Sequence, residues 1–110
     1  VVTRDGRWLR VAGGDVVDLS RRVALHRMLR ALVHAWSERG GAALSADQLA
    51  AAGWPGERML PESARGRVYV AIRTLRRLAL DGLLETVGEG YRLAPDAAFV
   101  WVDEDELRSA

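Results

Sequence analysis

Residues 62–93 constrain this chain more than any other stretch, because a helical apolar period gives way there to a strand period around a glycine turn. From Glu62 the apolar residues Ala64, Val68, Ile72, Leu75 and Ala79 recur at the spacing that lines one face of a helix against a core. At about 100° per residue, Arg65, Tyr69, Arg73, Arg76 and Arg77 fall on the outward side, with Thr74 nearer its flank. That side is expected to carry cations and an aromatic but no carboxylate. Pro61 and Glu62 suit the start of such a helix, since proline loses nothing by lacking an N–H there and a carboxylate complements the positive helix end. Asp81-Gly82 marks its end. Residues 84–87 and 91–93 then read as strands, and Gly88-Glu89-Gly90 supplies the positive φ of a hairpin turn. A basic helix followed by a hairpin suits the reading of nucleic acid.

Upstream, residues 7–12 and 16–19 are two short β-prone runs around Gly13-Gly14-Asp15 and predict an N-terminal hairpin, with Trp8 covering the edge of the core. Ser20 is placed to cap a first helix that runs to about Glu38 and stops at Gly40-Gly41. Its apolar stripe is Leu25, Met28, Leu29, Leu32 and Trp36. The opposite face carries His26, Arg27, Arg30, His34 and Glu38 and is expected to be solvated. The two histidines are eight residues apart, not the four that bring two ligands to one metal, so no metal site is expected. Ser45-Ala46-Asp47-Gln48 is a capping-box signal for a short second helix, with Leu44 stapled onto Leu49, ending near Ala52-Gly53 where Trp54-Pro55-Gly56 breaks it. The order is hairpin, three helices with the last one basic, and a second hairpin.

Composition bounds the partners. With 110 residues and 49% hydrophobic content the chain can bury one core. It has no cysteine, hence no disulfide, thiolate metal site or thiol nucleophile. No apolar run approaches the ~20 residues that span a bilayer, and the N-terminus lacks a signal-peptide pattern. A cytoplasmic protein without a membrane partner is expected. Because the first residue is Val1 rather than methionine, the chain reads as part of a longer protein. The formal net charge of +1 conceals an asymmetry: residues 1–95 hold 15 Arg against 10 acids, and residues 96–110 hold one Arg against five. The body is basic and the C-terminal extension acidic. All sixteen cations are arginine, the residue suited to bidentate contact with phosphate and guanine, although GC-rich coding is the simpler account of that bias.

Four features together carry a resemblance. A hairpin precedes the helices. Leu49 with Gly53-Trp54-Pro55-Gly56 ends an apolar helix on a tryptophan and glycine. Residues 68–76 read Val-Tyr-Val-Ala-Ile-Arg-Thr-Leu-Arg, close to V-x-V-x-I-x-x-L-R, and residues 85–93 read Glu-Thr-Val-Gly-Glu-Gly-Tyr-Arg-Leu, close to T-V-R-G-x-G-Y-R. Over roughly residues 7–94 the chain thereby resembles the winged-helix effector domain of the OmpR/PhoB type, found at the C-terminus of many bacterial response regulators. The resemblance implies an α+β fold, a winged helix-turn-helix over residues 1–95 with an N-terminal β-hairpin, three helices and a C-terminal β-hairpin wing. It implies double-stranded DNA as partner, the third helix (62–80) in the major groove and the wing against the neighbouring minor groove or backbone. Arg76 matches the arginine of the L-R pair that is commonly directed at DNA, and Arg73 and Thr74 occupy adjacent variable positions.

The wing departs from that pattern. It lacks the arginine between Val87 and Gly88, Glu89 at its tip repels phosphate, and Arg92 is its remaining cation. A structural wing that closes the sheet through Tyr91 and Leu93 is therefore expected. Residues 97–102 are expected to add a strand with Trp101 buried, and Asp103-Glu104-Asp105-Glu106 to begin a linker or further domain.

The expected DNA-binding set is Arg65, Tyr69, Arg73, Thr74, Arg76, Arg77 and Arg92. No catalytic residue or cofactor is expected: Ser20 and Ser45 are explained as caps, and no helix follows Gly88-Glu89-Gly90 to make a phosphate loop. The further expected partners are the other domains of a longer parent chain, and both a homodimer and a tandem arrangement fit. A second reading, a protein-interaction or autoinhibitory module, fits the acidic wing tip and the near-neutral total charge.

Overall fold

The computed structural model describes residues 2–3, 6–10, 14–97 and 101–102. Among the described residues, three helices and two small sheets form an α+β arrangement. In chain order the elements are β1 (Val2–Thr3), β2 (Trp8–Leu9), β3 (Val17–Asp18), α1 (Val23–Glu38), β4 (Leu44–Ser45), α2 (Ala46–Gly53), α3 (Pro61–Leu75), a π-helical turn (Arg76–Leu80), β5 (Leu84–Val87), β6 (Gly90–Leu93) and β7 (Trp101–Val102).

The N-terminal hairpin forms as β2 and β3, in antiparallel register Trp8↔Asp18 and Leu9↔Val17. It is one half of a four-stranded sheet in the order β3-β2-β1-β7, in which β7 runs parallel to β1. A strand is thus present at residues 101–102. The expected burial of Trp101 and the acidic residues 103–106 lie outside the described residues.

The start of α1 differs from expectation. Ser20 does not cap it: Arg22 is the N-cap, without a side-chain cap, and the helix begins at Val23. Leu19 is fully buried, and its carbonyl accepts from the Arg22 amide at 2.9 Å, so the chain must complete a turn before the helix can start. The Ser20 amide instead donates to Asp18 Oδ1 at 2.8 Å. The predicted stripe Leu25, Met28, Leu29 and Leu32 is buried, and Trp36 packs against it half-buried. His26 is a second correction. It is only 9% exposed, not solvated, because the buried arc of α1 is wide enough to include Val33 and Ala35 as well. Gly6, in the connection between β1 and β2, lies against the backbone of His26 and Arg30 and covers that side. Arg27, Arg30, His34 and Glu38 are exposed.

The capping box of α2 is complete. The Gln48 amide donates to Ser45 Oγ at 3.1 Å and the Ser45 amide to Gln48 Oε1 at 2.8 Å. Leu44 and Leu49 are both buried. At the other end Gly53 lets α2 approach α1: a Cβ there would sit 3.2 Å from Met28 Cγ.

Pro61 is the first residue of α3, and Ala64, Val68, Ile72 and Leu75 are buried on one face. The helix does not continue regularly to Leu80. The turn from Arg76 to Leu80 is wound with one extra residue, which moves the next core position from Ala79, half-buried, to Leu80, fully buried. The larger side chain thereby reaches the core. Gly82, at φ +79°, then turns the chain into β5.

β5 and β6 pair antiparallel in register Leu84↔Leu93, Glu85↔Arg92, Thr86↔Tyr91 and Val87↔Gly90. Of the two turn residues only Gly88 has a positive φ (+57°), the sign pattern of a type II′ turn. Gly90 is required for another reason. β4 pairs with β6 through Leu44↔Tyr91 and Ser45↔Gly90, and a Cβ on Gly90 would come within 2.7 Å of the Leu44 carbonyl oxygen.

Candidate nucleic-acid interface

The apolar face of α3 fixes where its cations can point. With Val68, Ile72 and Leu75 each at most 1% exposed, the helix cannot rotate without emptying the core. Arg65, Tyr69, Arg73 and Arg77 therefore stand in solvent, Tyr69 at 54% exposure. Among the described residues none of Arg65, Arg73 and Arg77 pairs with a carboxylate. The Arg73 guanidinium carbon lies 5.9 Å from the Tyr69 ring centroid, a weak cation–π contact that holds the two side by side. Glu62 corrects the expectation of a carboxylate-free face: it is exposed in the first turn, one turn before Arg65.

Arg76 is not on that face. Its Nε and Nη2 donate to the Leu84 carbonyl at 3.0 and 2.9 Å, and Nη2 also donates to Thr86 Oγ1 at 3.0 Å. The guanidinium is half-buried and braces the end of α3 to β5. Outward position on a helical wheel does not anticipate this, because the acceptors come from a strand eight to ten residues later and the helix turns irregular at Arg76 itself.

Thr74 also turns away. Its hydroxyl donates to the Val70 carbonyl one turn back, at 3.0 Å, a bond internal to the helix. It lines an open, largely apolar groove of about 560 Å³ between the start of α1, Trp54 and the flank of α3, with Val23, Leu25 and Val70. Arg92 is neutralised in the hairpin, with Nε 2.9 Å from Glu85 Oε1 on the paired strand. Glu89 at the turn is exposed.

Sequence reasoning missed Arg67. Its Nη1 lies 2.8 Å from Glu57 Oε1, and its guanidinium carbon stands 5.7 Å from the Trp54 ring centroid. The contact ties the α2–α3 connection to the flank of α3, so the two helices are joined by a fastened loop. The presence of Trp54 and Glu57 in the break before a cationic helix was the available signal.

The expected set thus divides. Arg65, Tyr69, Arg73 and Arg77 share one exposed surface, Arg76 and Arg92 are engaged in holding the hairpin, and Thr74 belongs to the groove. No group of three or more metal-ligating side chains occurs among the described residues, and no described helix is long and apolar enough to cross a membrane. Compared with protein-family models, curated proteins and solved structures, the chain gives no match.

Proposed function

We propose that this domain is a winged helix-turn-helix that binds double-stranded DNA sequence-specifically, as the transcription-regulatory module of a larger bacterial protein. The observation that carries the reading is the exposed surface of α3, where Arg65, Arg73 and Arg77 have no carboxylate partner among the described residues while the opposite face is locked into the core. A 15-residue helix is ~22 Å long and 10–12 Å across, dimensions that the ~12 Å major groove admits. Phosphates on either side of the groove would then meet Arg65 and Arg77, with counterion release supplying affinity. Arg73, held beside Tyr69, is the side chain placed to reach a base edge, where its fork matches guanine N7 and O6. In this reading Arg76 positions the hairpin rather than touching DNA, and the hairpin supports α3 from one side with little cationic contribution of its own.

The test is salt-dependent binding of the 110-residue chain to sheared genomic duplex DNA. Binding is expected to fall steeply between low and physiological salt, and Arg65→Ala or Arg77→Ala to reduce the log–log salt slope by about one each. A folded chain without salt-sensitive affinity for duplex DNA would sink the proposal.

A protein-interaction role is the second reading, favoured by Leu60 at 75% exposure, Val70 at 61% and the apolar groove beside Val23. A partner that protects Arg65, Tyr69 and Arg73 in the absence of DNA would establish it instead.

A further inference from the structure

Gly66 sits in the middle of α3, on its exposed side, four residues before Val70 and seven before Arg73. Glycine at an exposed helix interior is the least favourable choice short of proline, because it orders the most flexible backbone and covers none of it. Of the nine glycines whose surroundings are described, each of the other eight has either a positive φ or a neighbour within 3.3 Å of where a Cβ would stand. Gly66 has neither. Its φ is ordinary, and a Cβ there would meet nothing within 4 Å. Nothing inside the domain uses the missing side chain.

Exposed Glu62 stands one turn before Gly66, and Arg65 and Arg67 flank it, while the surface toward its C-terminal side is low and apolar. Val70, at 61% exposure, follows one turn later, and both residues border the groove that runs toward Val23. Tyr69 and Arg65 rise on one side and Arg73 beyond. The helix backbone at Gly66 is thus the floor of a shallow notch between longer side chains.

We infer that Gly66 is the point of closest backbone approach between α3 and DNA, a depth-setting position that lets the helix seat in the groove far enough for Arg73 to reach base edges. This rests on the DNA-binding reading of the same surface. A methyl group at the notch would hold the helix away from the duplex by roughly its own thickness, and side chains beyond it would lose their hydrogen-bond distances.

The inference makes stability and binding move in opposite directions. Duplexes are first selected on the wild-type chain from a randomised double-stranded pool, and the best is then titrated with wild type, Gly66→Ala and Gly66→Ser. Gly66→Ala is expected to unfold about 5 °C higher, since it removes the helix penalty without touching a contact. Its affinity for the selected duplex is expected to be at least about tenfold weaker, with Gly66→Ser weaker still or equal to it. If wild type binds and Gly66→Ala binds as tightly, the inference is overturned and the DNA-binding reading stands. If the wild-type chain enriches no duplex and binds none, both fall.

Discussion

Replacing Arg76 tests how α3 and the C-terminal hairpin are joined. Its guanidinium makes three hydrogen bonds, two of them to the Leu84 carbonyl and one to Thr86 Oγ1, at 2.9 to 3.0 Å. Hydrogen bonds to a charged group contribute ~1.5–3 kcal/mol where the groups are shielded from water. Two of these three converge on one acceptor, and the Thr86 bond is exposed, so the three do not add. We take ~2 kcal/mol for the side chain as a whole. With ~4–8 °C of melting temperature per kcal/mol in a domain of this size, Arg76→Ala is expected to melt about 10 °C below wild type. Arg73→Ala, which loses only an exposed contact at 5.9 Å, is expected to stay within ~0.5 kcal/mol. Thermal unfolding followed by circular dichroism measures both, and DNA titration at low temperature, where each variant is folded, separates stability from affinity. There Arg73→Ala should bind more weakly and Arg76→Ala should retain most of its affinity. Arg76→Ala melting within about 2 °C of wild type would refute the brace. Normal stability together with lost binding would return Arg76 to the DNA surface.

The two glycines of the hairpin are expected to respond differently. Gly88→Asn should cost ~1 kcal/mol through backbone strain alone, since the first central position of a type II′ turn suits glycine and the space around it is open, whereas Gly90→Ala should cost ~2 kcal/mol by forcing β6 off the Leu44 carbonyl; urea midpoints compare them. Ser45→Ala should cost ~1 kcal/mol through loss of the bond to the Gln48 amide, and Ser45→Asp should recover most of it in the same assay.

Element identity was legible at four places where the cause is local, though the equally local start of α1, moved from Ser20 to Arg22, was not. The capping box at Ser45, Pro61 at the head of α3, the break after Gly53 and the Gly88 turn each depend on residues within four positions of one another, and each forms as read. The strands β1 and β4 were not legible. Each is two residues long and pairs with a strand distant in sequence, β1 with β7 as well as with its neighbour β2, and β4 with β6, which no pattern of two residues can encode. His26 failed for a related reason: a helical wheel gives the direction of a side chain but not which directions other elements will cover.

For the candidate interface, the sequence by itself determined the inventory, a helix with its arginines and Tyr69 away from the apolar stripe, because a 3.6-residue period sorts side chains by face before any packing occurs. Only the tertiary structure decided which of those arginines remain free. A guanidinium at the end of a long, flexible side chain binds whichever carbonyl or carboxylate the fold brings within reach, so Arg76 and Arg92 are taken up by the hairpin and Arg67 by Glu57, while Arg65, Arg73 and Arg77 are left facing solvent around the open notch at Gly66.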